Sequence, residues 1–453
     1  MTWLLLALAC RSGTTPTPAT AEPSDSAEAT GLTADSDAPT PSADTSHTND
    51  TAANAWLDGR RRVDGDVPWG QLGYHLYAST THIIAAQPGS FDGAPYDAKG
   101  GFLRWFDAGL TETAATPPGH QFLEEGAAAM GLTMGGSRRG TGLLTWVQTY
   151  DSEDFHLRWW SPDGLRSTAI HAGYAAEFLA MTVGDVDGDG EEDGIFPLYQ
   201  LEEGEPSLRL YWRLGPLDNG ALPEMSDIPY ATFEPPLSGL YGHLPTLDHD
   251  GDGQDEVVVA LGPHLYLLDD LPGRTSPVLA DDLTLLLRDT PNTRAVALVL
   301  PTGEPCVVAG DVLRNHRNGA VLIGCAGDDG VPRWQVDGAF SDWLGASLAV
   351  GDLNGDGLDD LVAGAPSDYY GKHGHGKVHV FLGPLDQPPT PERTLVIPGQ
   401  RMGDRFGTAV AVLPTPEGNL LAVSAANSSY ATEWGGSIYL LAWDELVELL
   451  PAR

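Results

Sequence analysis

The chain has 453 residues and a formal net charge of −39, from 63 Asp+Glu against 24 Lys+Arg. A field this negative repels phosphate backbones and excludes nucleic acid as a main partner. No apolar run reaches the roughly 18 residues that a membrane-spanning helix needs. Fifty-five Gly and 35 Pro make turns frequent, while 42% apolar residues still allow a core.

In chain order, residues 1–10 (MTWLLLALAC) form a short apolar stretch that ends in small residues before a cysteine. This resembles a bacterial lipoprotein signal, which implies that Cys10 becomes the lipidated first residue of an exported chain. A misplaced start or a simple secretory signal are the other readings. Residues 11–55 are Thr, Ser, Ala, Pro, Asp and Glu with almost nothing apolar. They cannot offset their own ordering entropy, and are expected to be a disordered linker.

Residues 56–453 hold a repeat. Apolar-aromatic segments recur around Trp105, Trp159, Trp212, Leu267, Ile323, Val380 and Leu440, at steps of 54, 53, 55, 56, 57 and 60 residues. Two of them share the tail LGPLD, at 214–218 and 382–386. Each segment sits among short β-branched and apolar runs separated by Gly- and Asp-rich turns, which are strand signals. A β-sandwich would need about 100 residues per unit and a solenoid far fewer. The expectation is therefore all-β, a seven-bladed β-propeller with four-stranded blades, preceded by the linker.

Three loops share one grammar: DVDGDGEED (185–193), DHDGDGQDE (248–256) and DLNGDGLDD (352–360). Oxygen side chains fall at positions 1, 3, 5 and 9, with Gly at position 6 for a sharp turn. Alternate positions of such a loop can point inward together and supply the six to eight oxygens that Ca²⁺ takes. The side-chain ligands would be Asp185, Asp187, Asp189 and Asp193; Asp248, Asp250, Asp252 and Glu256; and Asp352, Asn354, Asp356 and Asp360. Glu191, Gln254 and Leu358 would add main-chain carbonyls at position 7. Position 12 carries Phe196, Val259 and Ala363 and the flanks read as strands, so an EF-hand is excluded. The matching places in the other blades read STTH (79–82), GGSRRGTG (135–142), LPTGEP (300–305) and LPTPEG (413–418), without cages. Three Ca²⁺ sites are expected.

Leu344-Gly345, VGDLNGDGLDDLVAGAP (350–366) and VHVF (378–381) together resemble the FG-GAP repeat of integrin α propellers. RFGTAVAV (405–412) repeats the opening, and Trp69-Gly70 is read as a worn copy in the first blade. The resemblance implies calcium loops on one rim and partner binding on the opposite face, in a non-enzymatic adhesion or recognition role. Loops joining second and third strands would form that face. Tyr369, Tyr370, His373, His375, Tyr430 and Trp434 are candidates to contact a protein or glycan there. The other functions considered are a carbohydrate-active enzyme of polysaccharide-lyase type, with its site in the central channel, and a lectin.

No GxSxG, HExxH or GxxxxGK[ST] motif occurs, so no catalytic residue is assigned. Cys306 and Cys325 lie on strands expected to pair, equidistant from the middle of the intervening loop. They form either a disulfide or two separate buried thiols. The expected location is the cell envelope, with membrane contact only through a lipid at Cys10.

Overall fold

The computed structural model describes residues 55–450, apart from 67–69, 88–101, 114–119, 122–128, 137–138, 150–153, 162–166, 175–180, 203–204, 218–227, 238–244, 275, 291–292 and 368–373. Cys10 and nearly all of the expected linker lie outside the described residues. No described helix is long and apolar enough to cross a membrane.

Seven four-stranded antiparallel sheets are arranged in a ring, the β-propeller expected from the repeat. Every recurring segment of the sequence is the third strand of a blade. These strands are Phe102–Phe106, Asp154–Trp160, Glu205–Arg213, His264–Leu268, Ala320–Cys325, Lys377–Phe381 and Ser437–Ala442. Third strands are rich in aromatic and branched residues because they pack between neighbouring blades. Trp105 of the first blade meets Trp160 of the second at 5.6 Å between ring centroids. Trp334 and Phe381 make a similar contact, at 6.2 Å, between the fifth and sixth blades.

Entry into a blade follows one local geometry. Three triplets, Gln71-Leu72-Gly73, Trp343-Leu344-Gly345 and Arg405-Phe406-Gly407, place residues with positive φ on either side of a buried apolar residue. That central residue bridges in parallel to a glycine of the preceding blade, as Leu72–Gly436, Leu344–Gly319 and Phe406–Gly376. A Cβ at Gly345 would stand 2.6 Å from Gly310 Cα, so glycine is required there by both close approach and φ. The first-blade opening is thus Leu72-Gly73. The assignment to Trp69-Gly70 missed it because the Trp-Gly pair resembles the aromatic-Gly signature more closely than Leu-Gly does.

The ring closes in a way the repeat does not announce. The outer strand of the seventh blade is Arg61–Asp64, paired antiparallel with Ser437–Leu440. In the fifth blade, Cys306 and Cys325 stand directly opposite one another on adjacent strands and are joined by a disulfide.

Candidate metal centres and the opposite face

The three acidic loops are hairpins between the first and second strands of the third, fourth and sixth blades. Their carboxylates first serve the backbone. At position 1, Asp185 accepts from the N–H groups of Gly188 and Gly190, both at 2.9 Å. Asp352 accepts from Gly355, Asp356 and Gly357, and Asp248 from Gly251. Side chains at positions 3 and 5 each take the N–H two residues further on, as in Asp187 with Asp189 and Asp356 with Leu358. These are Asx turns, and they bend the loop without any backbone ladder. Glycines at positions 4 and 6 have φ between 75° and 96° in all three loops, a region that side chains disfavour.

Position 9 is buried and ties the hairpin to the rest of the blade. Asp193 accepts from Val186 N–H at 2.8 Å and Gly215 N–H at 2.7 Å. Asp360 repeats this with Leu353 at 2.9 Å and Gly383 at 2.8 Å. Both glycines belong to LGPLD, which explains why that tail occurs twice. Its glycine has no room for a side chain, and its second leucine, Leu217 or Leu385, enters the apolar core. Burial pushes the Asp193 carboxyl up to about 7 and Asp360 up to about 6, against the pull of the amides that bond them.

Glu256 fills the same position in the fourth blade. It accepts from His249 N–H and lies 2.9 Å from His249 Nδ1. Burial is the largest single influence and opposes the charge on His249, but the bond and charge of Glu256 together with the charges of Asp250 and Asp269 outweigh it and raise the imidazole. Sequence spacing gave no reason to single out His249, because position 2 of such a loop normally faces away.

Carboxylates converge in two of the three hairpins; among the described residues Asp352, Asp356 and Asp360 form no such group, and Asp189 stands outside the group of its own loop. Asp185, Asp187 and Asp193 bring oxygens within 4.8 Å of one another, as do Asp248, Asp250 and Asp252. His249, Asp250 and Glu256 form an overlapping group that shares Asp250. In the third loop, Asn354 Nδ2 donates to Asp356 at 3.0 Å. Asp189, Asp252 and Asp356 receive the N–H groups of Glu191, Gln254 and Leu358. These N–H groups are the main-chain atoms of position 7 seen in contact with loop carboxylates. Arg139 of the second blade stands 3.7 Å from Asp185, so only part of that carboxylate's charge is met within the protein.

Position 8 has a role that spacing alone did not suggest. Glu192 receives the hydroxyl of Thr141 from the second-blade hairpin. Asp255 accepts from Asp185 N–H at 2.9 Å, and its own N–H donates to Asp185 O. At the sixth blade the clip falls at position 1 instead, where Asn419 of the seventh-blade hairpin donates to Asp352 O at 2.7 Å. In each pair one hairpin is clipped to that of the preceding blade. Such contacts require neighbouring blades to stack, so no motif within one blade could reveal them.

At the other end of the blades lie the loops between second and third strands. Tyr369, Tyr370 and His373 lie outside the described residues. His375 is half-buried, and its carbonyl accepts from Phe406 N–H. Tyr430 has the guanidinium groups of Arg62 and Arg401 at 3.6 and 3.7 Å from its ring centroid. Two cations so close must occupy opposite faces of the ring, and its hydroxyl donates to Gln400 Oε1, which leaves only the remainder of its edge for any other contact. The Trp434 carbonyl accepts from Gln71 N–H across the blade boundary. Phe340, which the sequence reading passed over, is 85% exposed at this end.

His379 and Arg209 lie on third strands, not on the innermost strands that face the central channel. His379 stacks on Phe381 and burial lowers it to about 4, while Arg209 covers Tyr230.

Residues 344–381 match the FG-GAP repeat family. Integrin alpha-IIb of Mus musculus is 33% identical over 102 residues, which is 21% of this chain and 10% of that protein. Integrin alpha-PS2 of Drosophila melanogaster is 32% identical over 126 residues, 24% of this chain and 9% of that protein. Phosphatidylinositol-glycan-specific phospholipase D of Rattus norvegicus is 36% identical over 107 residues, 21% and 13% respectively. The chain thus spans between 9% and 13% of the length of these relatives. Among solved structures, the Dos1 propeller covers 82% of this chain and 77% of its own at a TM-score of 0.41 and 10% identity. The NanB sialidase from Streptococcus pneumoniae covers 84% and 70% at a TM-score of 0.42 and 11% identity.

Proposed function

We propose that this chain, a β-propeller carrying an FG-GAP repeat and similar in part to integrin α subunits, is a non-enzymatic Ca²⁺-binding recognition protein of the cell envelope. The observation that carries the metal reading is the convergence of carboxylate oxygens within 4.8 Å in hairpins of two blades, with the same hydrogen-bonding grammar in a third. Carboxylates this close repel one another, and a hard divalent cation is the group that reverses the sign of that interaction. The donors are oxygens on a loop of alternating inward positions, which suits Ca²⁺ better than the stricter octahedron of Mg²⁺.

Asp185, Asp187, Asp189 and Asp193 would hold one ion; Asp248, Asp250, Asp252 and Glu256 a second; Asp352, Asn354, Asp356 and Asp360 a third. The cation would supply charge balance and stiffen the hairpin, leaving recognition to the opposite face. The apolar ring of Phe340 and the edges of Tyr430 and Trp434 are the described contact groups there.

The test is a thermal melt of the full chain in excess Ca²⁺, in Mg²⁺ and in EDTA. A rise specific to Ca²⁺, reduced in Asp352→Ala, is the expected outcome; identical melts in all three would remove the metal reading. Recognition is tested separately by screening immobilised proteins and glycans against the wild-type chain and Phe340→Ala. A partner that binds both equally would place the contact elsewhere.

A further inference from the structure

The innermost strands of the blades enclose a central cavity of ≈ 370 Å³. Arg294 lines it, on the first strand of the fifth blade. This strand, Thr293–Val299, leads into the hairpin 300–304, and Arg294 pairs with Gly310 at the end far from that hairpin. His75 immediately precedes the first strand of the first blade, and Ser347 begins that of the sixth. All three line the cavity at the end away from the acidic hairpins.

Arg294 is half-buried, and among the described residues no hydrogen bond or ion pair reaches its guanidinium. The charged or titratable neighbours that act on it are Tyr74 and a second cation, Arg405. Burial and Arg405 both disfavour its charge. Asp359, a carboxylate of the cavity wall, belongs to the acidic hairpin at the opposite end. In a chain with 63 acidic residues, a guanidinium in a cavity wall without a carboxylate partner is an unfilled electrostatic demand.

We propose that this end of the channel binds a small organic monocarboxylate on Arg294. A guanidinium presents a planar fork of donors that matches the two oxygens of a carboxylate. Arg405 lies over Trp343 and does not line the cavity, so Arg294 is the guanidinium that faces it among the described residues, and it calls for one negative charge. Walls built from Val296, Ala297, Val410 and Ala411 suit an organic body better than a strongly hydrated inorganic ion. The volume falls within the roughly 300–1,000 Å³ of small-molecule pockets. The site is independent of the proposed cation loops and does not require them to be filled.

The experiment is a set of melts of the full chain at constant excess CaCl₂ and matched ionic strength. The probes are sodium acetate, sodium glucuronate and sodium sulfate, with sodium chloride as the reference. The carboxylates should raise the melting temperature by about 2 °C or more over chloride at saturating concentration. Arg294→Gln should lose that shift while melting no lower than wild type in chloride, because the substitution removes no bond. The proposal is overturned if neither carboxylate stabilises the wild type, if sulfate does so equally, or if Arg294→Gln keeps the shift. Should Arg294→Gln fail to fold, calorimetric titration of Arg294→Lys with the same probes decides. A loss of about tenfold or more in affinity supports the guanidinium fork, and unchanged affinity refutes it.

Discussion

The hairpins of the third, fourth and sixth blades and those of the fifth and seventh occupy the same place but close differently. In the fifth blade, Leu300 N–H donates to Glu304 O and Gly303 N–H to Leu300 O, so the backbone satisfies itself. In the seventh, Gly418 N–H donates to Thr415 O, and the Thr415 hydroxyl adds a bond to Gly418 O. The acidic hairpins instead pass their N–H groups to carboxylates, which gathers negative charge at one point. These turns carry one glutamate each, Glu304 and Glu417, and close through their own backbone, so joining two propeller strands needs no carboxylate cluster. The acidic ones therefore gather charge beyond what closure needs, which is the observation behind the proposed divalent-cation sites.

The comparison sharpens most by removing the cation. Each site filled at a hundredfold excess over its Kd adds about 2.7 kcal/mol to stability. Hydrogen exchange in EDTA should accelerate at 185–193, 248–256 and 352–360 while 300–304 and 414–419 stay unchanged. Equal acceleration in both classes would erase the distinction.

Next in size is Asp360→Ala, measured in EDTA so that metal is not involved. It orphans the buried N–H groups of Leu353 and Gly383 and should cost about 2–4 kcal/mol in a denaturant titration. Thr415→Ala, in a hairpin closed by its own backbone, should cost under about 1 kcal/mol. Similar losses would mean that the carboxylate is dispensable to its blade.

The fifth blade has a disulfide where the acidic blades have their hairpin chemistry. Replacing Cys306 and Cys325 together with Ala should cost about 2–3 kcal/mol, to the same extent with Ca²⁺ and with EDTA. A calcium-dependent loss would show that the two classes of blade are coupled.

The smallest effect isolates the far end. Burial pushes the Asp404 carboxyl up to about 7, against Arg401 and Arg62, which pull it down. Its unfolded value lies near about 3.9, so between these limits the folded chain holds the proton more tightly. The contribution of Asp404 is therefore full at low pH and is lost as pH rises through 7. With Ca²⁺ saturating the hairpins, Asp404→Asn should flatten the decline in stability between about pH 4 and 7 by about 1 kcal/mol per pH unit. An unchanged slope would assign the pH dependence to the hairpin carboxylates.

The blades were legible because third strands carry bulky residues at every turn of the ring, and the hairpins because six of nine positions repeat in type. Other features depend on closure. Arg61–Asp64 contains a single apolar residue, Val63, so nothing in its composition marks it as a strand. Asp255 looks like one more acid of its loop until the preceding blade brings Asp185 N–H against it. Arg294 reads as an ordinary strand cation, and only the ring gives it a cavity. The LGPLD tail was visible as a repeat, but its reason lay in the fit of Gly215 and Gly383 against buried carboxylates.

Closure through Arg61–Asp64 also orders events in time. That strand finds its partner in Ser437–Leu440, across almost the whole described chain, and the entropy of so long a loop must be met before the contact forms. A nascent chain that ends before Ser437 can stack its earlier blades but leaves an open seam, with Arg61–Asp64 as an unmatched edge. Synthesis must run past Leu440 before the ring can lock, so a truncation ahead of Ser437 would expose the seam to other chains rather than merely shorten the protein.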